Sequence, residues 1–326
     1  MTGLYDSWQR QINYLRISVT DHCNLDCIYC SAGSVPHLPR SEILSYEEIQ
    51  TVLRVAASLG INKVRLTGGE PLVRPDLVTL VRMVSQIEGI DDISLTTNGI
   101  LLSQYAAELK EAGLNRVNVS LDTLRTDRFK RITGQAQLSE VLAGIEAANR
   151  ARLQPVKMNM VVMQGINDDE VIDFARLTID PGWHVRFIEF MPLGTSEAKA
   201  LKTVSTQEIR ERLLALGKLE PYTGKTGNGP ARYYRLPGAQ GTIGFISPMT
   251  EHFCHSCNRL RLTADGQLRP CLLDDDEINL KETLRNGAST GRLKELIQKA
   301  VAIKRERHHL NEGSGPPERP MRQIGG

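Results

Sequence analysis

Three cysteines stand close together near the start of the chain, within the run from Asp21 to Cys30. They are Cys23, Cys27 and Cys30, and they follow a strand-like run at 15–20. A tight loop can turn three thiolates at this spacing toward one metal centre. A 4Fe–4S cluster held by three cysteines keeps one iron without a protein ligand, free to bind another molecule. A disulfide or a zinc loop is the alternative, but the C-x3-C-x2-C spacing fits the usual pattern of neither.

A second group of three cysteines lies much later in the chain, at Cys254, Cys257 and Cys271. In an extended strand, alternation puts Cys257, Arg259 and Arg261 on one face. A metal ligand and two guanidinium groups would then share one space, and paired guanidinium groups suit a polyphosphate through bidentate hydrogen bonds. Two alternatives stay open, a zinc site completed by a histidine and a structural site beside solvated arginines. The candidate histidines are His252 and His255.

The composition limits what kind of protein this is. The chain has 326 residues, of which 40% are hydrophobic, and a formal charge of +2. A sizeable core is therefore expected, and a charge so close to zero argues against bulk binding of nucleic acid. No apolar run approaches membrane-spanning length, and no signal peptide is visible. All six cysteines fall into the two groups, which favours a reducing cytoplasm and two metal sites over a disulfide framework.

Strand and helix patterns alternate after the first cysteine group, which predicts an α/β fold with a parallel sheet and right-handed crossovers. The six predicted strands are Leu15–Thr20, Lys63–Thr67, Asp92–Thr97, Arg116–Leu121, Val156–Met163 and His184–Phe190. The predicted helices are one that starts after Ser45, with Glu48 completing its cap, and others near Leu77–Gln86, Gln104–Ala112, Leu138–Arg150 and Asp169–Leu177.

One face of strand after strand is polar. The residues on that face include Arg16, Ser18 and Thr20 in the first strand, Arg65 and Thr67 in the second, Thr96 in the third and Ser120 in the fourth. A closed eight-stranded barrel would instead fill its interior with Val, Ile and Leu. We therefore expect an incomplete, wider (β/α)6 barrel of the TIM-like kind, whose interior is a polar ligand chamber. The sixth strand is ambiguous, because Arg186 and Glu189 fall on opposite faces.

The composition changes beyond residue 217, where a glycine-rich loop at 223–230 precedes short β-like pieces at Arg232–Leu236, Gly241–Ile246 and Asn258–Thr263. We expect a partial barrel over residues 1–217 and a C-terminal β-containing region over 218–326 that carries the second metal site. The glycine-rich loop lacks the spacing of a phosphate-binding loop and is interpreted as a connection. Gly68-Gly69-Glu70-Pro71 follows the second strand directly, where glycines let the backbone approach a ligand. Taken alone, it indicates a strand-ending turn.

Several motifs occur in one order along the chain. They are Leu-Arg-Ile-Ser-Val-Thr-Asp-x-Cys-Asn, Gly-Gly-Glu-Pro, Leu-Thr-Thr-Asn-Gly, Asn-Val-Ser-Leu-Asp, Arg-Phe-Ile-Glu-Phe-Met and Phe-Cys-x-x-Cys-Asn-Arg-Leu-Arg, followed by Gly325-Gly326. The first cysteine group resembles the signature of the radical S-adenosylmethionine (SAM) enzymes. The whole set resembles the GTP 3′,8-cyclase family of that superfamily, molybdenum cofactor biosynthesis protein A. Two departures from the family pattern are His22, where an arginine is usual, and Ser31-Ala32 in place of Met-Pro.

The resemblance implies two 4Fe–4S clusters, SAM and a GTP substrate, with roles for residues that match the family's motifs. It implies that Cys23, Cys27 and Cys30 hold the cluster that binds SAM, and that Cys254, Cys257 and Cys271 hold the second cluster, next to guanine. It places SAM against Tyr29, Gly69, Ser120 and Met191, and GTP against Arg16, Arg65, Thr96, Lys157, Arg259 and Arg261. The first three cysteines, Arg259 and Arg261 form the implied catalytic set. The Gly325-Gly326 tail is expected to reach into the active site.

The implied reaction is a radical cyclisation, in which a deoxyadenosyl radical removes the C3′ hydrogen of GTP and the C3′ radical attacks C8 of guanine. The product would be (8S)-3′,8-cyclo-7,8-dihydroguanosine 5′-triphosphate, in the first step of molybdenum cofactor (molybdopterin) biosynthesis. The resemblance implies a cytoplasmic lyase that takes electrons from a flavodoxin- or ferredoxin-like donor. It would pass its product to cyclic pyranopterin monophosphate synthase. A homodimer is left open, and neither nucleic acid nor a membrane is an expected partner.

Two other functions remain as alternatives. One is a radical SAM enzyme with an auxiliary cluster that acts on another substrate, such as a peptide. The other is a non-catalytic zinc or iron–sulfur binding module, which would not cleave SAM with any reductant.

Overall fold

A computed structural model describes residues 3–30, 36–193, 200–224, 229–287, 289–308 and 319–325. Within these residues the strands form one sheet, in the order β12-β11-β10-β1-β2-β3-β4-β5-β6-β9-β8-β7. The strands are β1 Tyr14–Ser18, β2 Lys63–Thr67, β3 Asp92–Thr97, β4 Arg116–Ser120, β5 Lys157–Val162, β6 His184–Glu189, β7 Glu220–Pro221, β8 Arg232–Arg235, β9 Ile243–Ile246, β10 Arg259–Leu262, β11 Gln267–Arg269 and β12 Ile278–Asn279.

The helices lie between these strands and after them. They are α1 Tyr46–Ser58, α2 Leu77–Ser85, α3 Leu102–Glu111, α4 Thr126–Thr133, α5 Leu138–Arg150, α6 Val171–Arg176, α7 Thr206–Leu213, α8 Lys281–Arg285, α9 Thr290–Ala302 and α10 Met321–Ile324. The predicted cap of α1 is present, because the Ser45 hydroxyl accepts from the backbone N–H of Glu48 and the Glu48 carboxylate accepts from that of Ser45. This reciprocal pair satisfies two backbone donors that the first helical turn leaves open.

The six predicted strands are all present and pair in parallel, from β1 at one side to β6 at the other. Their apolar faces are buried against the helices, as Ile17, Leu66 and Val119 illustrate with no exposed surface. In α1, Ile49 and Leu53 cover that face with a stripe at helical spacing. The opposite, polar face is therefore left to line a chamber, as the alternation predicts.

The C-terminal region adds a parallel strand to each side of this six-stranded unit. Strand β10 pairs with β1, and β9 pairs with β6. Beyond them the sheet turns antiparallel, through β11 and β12 on one side and β8 and β7 on the other. In the part of the chain that is described, β12 and β7 end the sheet without pairing to each other. The sheet is thus open, which confirms the predicted partial barrel.

Strands from both sides of residue 217 share this one sheet, and the division of the chain at that position stays a prediction. The glycine-rich loop is described only in part, because residues 225–228 lie outside the described ranges. Ser31-Ala32 also lies outside them. None of the helices in the described ranges combines the length and apolarity that crossing a membrane requires.

Candidate active site

A cavity of about 320 Å³ lies on the polar face of the sheet, and both cysteine groups line it. Cys23 follows the carboxyl end of β1, whereas Cys257 comes just before the amino end of β10. Because β1 and β10 run parallel, the two groups approach the cavity from opposite ends of the strands. Cys254 also precedes β10, and Cys271 follows β11, which runs antiparallel to β10. Both therefore lie at the same end as Cys257.

The first cysteine group forms a tight loop, in which the N–H of Cys30 donates to the carbonyl of Cys27 at 3.0 Å. The backbone N–H of Leu25 donates to the sulfur of Cys23 at 3.4 Å. Burial and the neighbouring Cys23 together raise the pKa of the Cys30 thiol to about 12. Metal binding favours the thiolate and opposes such a shift. These buried thiols therefore suit a group that brings its own positive charge.

The spacing of the sulfur atoms distinguishes a cluster from a single metal ion. A zinc ion with Zn–S bonds of about 2.3 Å would bring its sulfur ligands to about 3.8 Å from one another. Across the described residues, neither cysteine group has all its sulfur atoms within 4.8 Å of one another. This wider spacing fits an iron–sulfur cluster better than the zinc alternative at either group.

The loop after β2 packs against the backbone of the first cysteine loop. The N–H of Gly69 donates to the carbonyl of Thr20 at 2.7 Å, and that of Glu70 donates to the carbonyl of His22 at 2.8 Å. A Cβ atom on Gly69 would lie 2.3 Å from the His22 carbonyl oxygen, so only glycine permits this approach. The loop is thus more than a turn, since it fixes the cysteine loop and lines the cavity.

The buried carboxylate of Glu70 connects the ends of two neighbouring strands, β2 and β3. It accepts hydrogen bonds from the N–H of Leu72 at 3.0 Å, the hydroxyl of Thr97 at 2.7 Å and the N–H of Asn98 at 2.6 Å. Burial raises its pKa to about 7, against the opposing effect of these donors. All of its partners belong to the framework, so Glu70 acts as a structural support.

The four predicted SAM contacts all line the cavity, and they are Tyr29, Gly69, Ser120 and Met191. The hydroxyl of Tyr29 donates to the carboxylate of Asp122 at 2.6 Å. The other oxygen of that carboxylate accepts from the N–H of Val161 at 2.8 Å. The side chain of Tyr29 is therefore held from the strand ends opposite its own loop.

The second cysteine group lies among positive charges. The guanidinium group of Arg259 donates to the sulfur of Cys257 at 3.7 Å. The amine of Lys304 donates to the carbonyl of Arg259 at 3.0 Å. Burial by itself would raise the pKa of Cys257, but the charges of Arg259 and Lys304 outweigh it and lower that pKa to about 6. A thiolate is thus favoured at neutral pH, as a metal ligand requires.

Three arginines form a row across neighbouring strands, because Arg261 of β10 pairs in register with Arg16 of β1, which pairs with Arg65 of β2. Residues in register share a face of the sheet, and all three side chains line the cavity. Burial and the charges of Arg261 and Arg65 lower the pKa of Arg16 well below its usual value. Burial and the charge of Arg259 lower that of Arg261 to about 10.

These pKa shifts show that the arginine row is electrostatically unfavourable without an anion. Like charges that are removed from water repel one another strongly, because little solvent screens them. A polyanion in the cavity would offset that repulsion by attracting all three guanidinium groups. The row is therefore suited to binding phosphate groups.

Five of the six predicted substrate residues line the cavity, namely Arg16, Arg65, Thr96, Arg259 and Arg261. Lys157 does not line it. Its side chain is almost fully buried at the start of β5, and its amine lies 5.6 Å from the centre of the Tyr233 ring.

Among the cavity residues that the sequence prediction missed are Tyr14 and Asn159. The hydroxyl of Tyr14 and the side-chain oxygen of Asn159 are buried with no hydrogen-bond partner among the described residues, as is the hydroxyl of Thr96. Such atoms favour a polar ligand that can pair with them. Register could have found Asn159, because it lies two residues beyond Lys157 on the same strand face.

Both ambiguous residues of β6 line the cavity. Arg186 donates to the side-chain oxygen of Asn118 inside the sheet. Glu189 lies at the strand end and accepts from the N–H of Thr206 at 2.9 Å and from that of Met249 at 3.0 Å. The alternation fails at Glu189 because this residue ends the strand, and its carboxylate binds backbone N–H groups of two segments outside the sheet.

The C-terminal tail reaches the cavity, as expected. Arg319 anchors it through ion pairs of 2.9 Å to Asp265 and 2.8 Å to Glu277. The guanidinium group of Arg261 donates to the carbonyl of Gly325 at 2.5 Å. Gly325 has a φ of +82°, and a Cβ there would lie 2.8 Å from a methyl carbon of Thr67. Gly326 lies outside the described residues.

Comparisons with known proteins agree with this geometry. The family profile described as Radical SAM superfamily matches residues 17–178. The solved structure of Streptococcus suis SuiB bound to S-adenosylmethionine superposes with a TM-score of 0.64 at 15% identity, over 88% of this chain and 68% of that one. The SuiB complex with the precursor peptide SuiA gives a TM-score of 0.66 at 15% identity, over 94% and 74%. At such low identity these structures show the fold alone. The fold and the cysteine loop define a radical SAM protein.

The C-terminal region and the full-length relatives identify the family. The profile described as Molybdenum Cofactor Synthesis C matches residues 183–310. The GTP 3′,8-cyclase of Pelotomaculum thermopropionicum is 56% identical over 99% of this chain and 100% of its own length, and that of Moorella thermoacetica is 52% identical over the same shares. The chain belongs to the GTP 3′,8-cyclase family. This confirms the family predicted from the sequence.

Proposed function

We propose that this chain converts GTP to (8S)-3′,8-cyclo-7,8-dihydroguanosine 5′-triphosphate, in the first step of molybdenum cofactor biosynthesis. One observation carries the proposal. Two groups of three cysteines face one cavity from opposite ends, and the arginine row lies between them. A radical generated at one end can therefore meet a substrate that is held at the other.

The cysteine groups have separate tasks in this proposal. Cys23, Cys27 and Cys30 hold the 4Fe–4S cluster that binds SAM, which supplies the hydrogen-abstracting radical when it is bound. Cys254, Cys257 and Cys271 hold a second 4Fe–4S cluster near the guanine base. Tyr29, Gly69, Ser120 and Met191 surround the SAM site. The chain fixes the distance between the two ends through the rigid pairing of β1 with β10.

The arginines supply most of the substrate binding. Arg16, Arg65, Arg259 and Arg261 bind the triphosphate, and the anion relieves the repulsion among these arginines. Arg259 stabilises the Cys257 thiolate and faces the substrate from the second cysteine group. The buried oxygens of Thr96, Asn159 and Tyr14 have no partner among the described residues and would gain one from the nucleoside.

The tail residue Gly325 packs against the strands that carry the arginine row, since its carbonyl accepts from Arg261 and it lies close to Thr67. In this proposal the tail helps to keep water from the reacting carbon. A radical in such a site is protected from side reactions, and the nucleotide is held in one orientation. Because a radical removes the C3′ hydrogen, no acid–base residue is needed at that carbon.

The finer assignments belong to the same proposal. The electron donor is a flavodoxin- or ferredoxin-like protein in the cytoplasm, and the product passes to cyclic pyranopterin monophosphate synthase. Residues 1–217 form the SAM-binding part and residues 218–326 the part that binds the second cluster and GTP. A homodimer is compatible with these roles but is not needed for them.

Iron analysis and two serine variants test the proposal. After anaerobic reconstitution we expect about eight irons per chain, whereas about four irons and one zinc would contradict the second cluster. Cys30→Ser should abolish SAM cleavage, because the first group supports the radical. Cys257→Ser should retain some uncoupled SAM cleavage but form no cyclised nucleotide. Intact cyclisation in Cys257→Ser would overturn the assignment of the substrate end, and a peptide product without GTP turnover would favour the other radical SAM function.

A further inference from the structure

A carboxylate and two imidazoles converge at the outer side of the first cysteine loop. They belong to Asp21, His22 and His37, and one ligand atom from each lies within 4.8 Å of the others. The Nε2 atom of His22 lies 3.9 Å from Oδ1 of Asp21, and the Nδ1 atom of His37 lies 3.5 Å from Oδ2. Across the described residues this is the one group of three or more such side chains that meets this distance.

The carboxylate is incompletely satisfied. Asp21 has no exposed surface, and its Oδ1 atom is buried without a hydrogen-bond partner in the described part of the chain. Its Oδ2 atom accepts from the backbone N–H of Leu38 at 2.7 Å. A buried anionic oxygen that lacks a donor is costly, and a cation beside it removes that cost. Oδ1 is directed toward the imidazole of His22, so the cation would lie there.

The backbone that carries Asp21 and His22 is held in place before any ligand arrives. The carbonyl of His22 accepts from the N–H of Glu70 at 2.8 Å, and the N–H of His22 donates to the hydroxyl of Thr20 at 3.1 Å. On the other side, the hydrogen bond from the N–H of Leu38 to Asp21 fixes the backbone directly after His37. A preorganised site binds a metal more tightly because less chain must be ordered on binding.

The distances match a tetrahedral metal site after a small side-chain rotation. A zinc ion with bonds of about 2.0–2.1 Å separates its ligands by about 3.4 Å. The gaps of 3.9 Å from His22 to Oδ1 and 3.5 Å from His37 to Oδ2 are within about half an ångström of that value, although they run to different oxygens of the same carboxylate. The two imidazole rings stack with their centres 4.0 Å apart. Their side chains are 51% and 43% exposed, so both rings can turn toward a common ion.

We propose that Asp21, His22 and His37 bind a divalent cation of the zinc class, separate from both cysteine sites. Two imidazoles and one carboxylate are a ligand set that suits zinc and its neighbours among the first-row metals. The three protein ligands leave a fourth position toward solvent, where water completes the coordination. The bound ion links the chain around Leu38 to the end of β1, next to Cys23.

Zinc binding to the reconstituted holoprotein tests this proposal. Both cysteine groups must hold their clusters, because free thiolates would take up zinc themselves. Zinc and iron per chain are measured by elemental analysis after desalting, and affinity by competition with a chromophoric chelator. We expect one extra zinc per chain with no loss of iron. His22→Gln and His37→Gln should each weaken binding by about 100-fold or more, because loss of even a supporting partner costs 10–100-fold.

A second histidine pair provides the matched control. His252 and His308 pack edge to face with ring centres 4.7 Å apart, but no third ligand joins them within 4.8 Å in the described ranges. His252→Gln should therefore retain the zinc affinity of the parent protein. Cobalt(II) replaces zinc in a second measurement, because its paramagnetic resonance shows nitrogen and oxygen ligation while oxidised clusters are silent.

Each outcome decides the proposal. One zinc that is lost in His22→Gln and His37→Gln but kept in His252→Gln supports the site. A parent protein that takes up no more zinc than the His22→Gln/His37→Gln double variant overturns it. Zinc uptake accompanied by loss of iron, or a cobalt signal with sulfur ligation, would place the ion at the cysteines and overturn it as well.

Discussion

Lys157 allows a sharp test of the substrate site, because it is the predicted GTP residue that does not line the cavity. Burial, together with the charges of Arg186 and Arg116, lowers the pKa of its amine to about 6. With a pKa near that value, only about 1% of the amines are protonated at about pH 8. The free protein therefore carries a neutral Lys157 under ordinary assay conditions.

Binding of a triphosphate should change this state. If the phosphates offset the arginine charges, the pKa of Lys157 returns toward its ordinary value of 10.5. GTP binding at about pH 8 would then take up nearly one proton per chain, because the bound form has the higher pKa. From about pH 7 upward, where the γ-phosphate is ionised, the affinity should fall about tenfold per pH unit until the pH reaches the pKa of the bound state.

Calorimetry measures the proton uptake directly. GTP is titrated into holoprotein without reductant or SAM, in buffers that differ in ionisation enthalpy, and the slope of the observed heat gives the protons bound. At about pH 8 the γ-phosphate is fully ionised, so the uptake belongs to the protein. Lys157→Met should lose the uptake and flatten the pH dependence. The matched control is Lys63→Met, at the first residue of β2. This variant should show the proton uptake and pH dependence of the parent.

The absence of proton uptake in the parent protein would refute this reasoning. It would mean that Lys157 is already charged or that the triphosphate lies too far away to affect it. Equal uptake in the parent and in Lys157→Met would assign the proton to another group. In either case Lys157 would be removed from the predicted GTP-binding residues.

Three further predictions concern the same cavity. Deletion of Gly325-Gly326 should leave both clusters and SAM binding intact but strongly reduce deoxyadenosine and cyclised nucleotide, assayed separately; parent-level yields of both would remove the tail from the site. Arg259→Ala and Arg261→Ala should each weaken GTP binding by about 1.5–3 kcal/mol and leave guanosine binding unchanged in titrations, and an equal loss for guanosine would indicate support of the fold or the cluster. Tyr14→Phe removes a buried hydroxyl that has no partner among the described residues, so denaturant unfolding should show no loss of stability while GTP binding weakens by about 1 kcal/mol; a stability loss with unchanged GTP affinity would contradict this.

The alternation of polar and apolar residues was sufficient to predict the six central strands and the polar chamber. A period of two is a local property, and it places Arg16, Arg65 and Thr96 on one face without any knowledge of the pairing. The same argument put Cys257, Arg259 and Arg261 together, and the structure confirms that all three line the cavity.

Long-range pairing could not be predicted in this way. Nothing near β1 in the sequence indicates that β10 lies beside it, so the row that joins Arg261 to Arg16 required the structure. Helix α4 was missed because Arg125, which precedes it, makes no side-chain cap hydrogen bond. Helix α7 has a signal that was not used, since Ser205 and Glu208 form a capping box.

The pairing of β1 with β10 has a consequence for how the protein is made. Tyr14 lies opposite Arg259, a separation of 245 positions along the chain. At synthesis rates of 5–20 residues per second, the outer edge of β1 waits about 12–50 s for its partner on the ribosome. During that interval its backbone donors and acceptors are open to pairing with other chains. The nascent protein therefore has an unpaired strand edge, a possible site of aggregation, until β10 arrives.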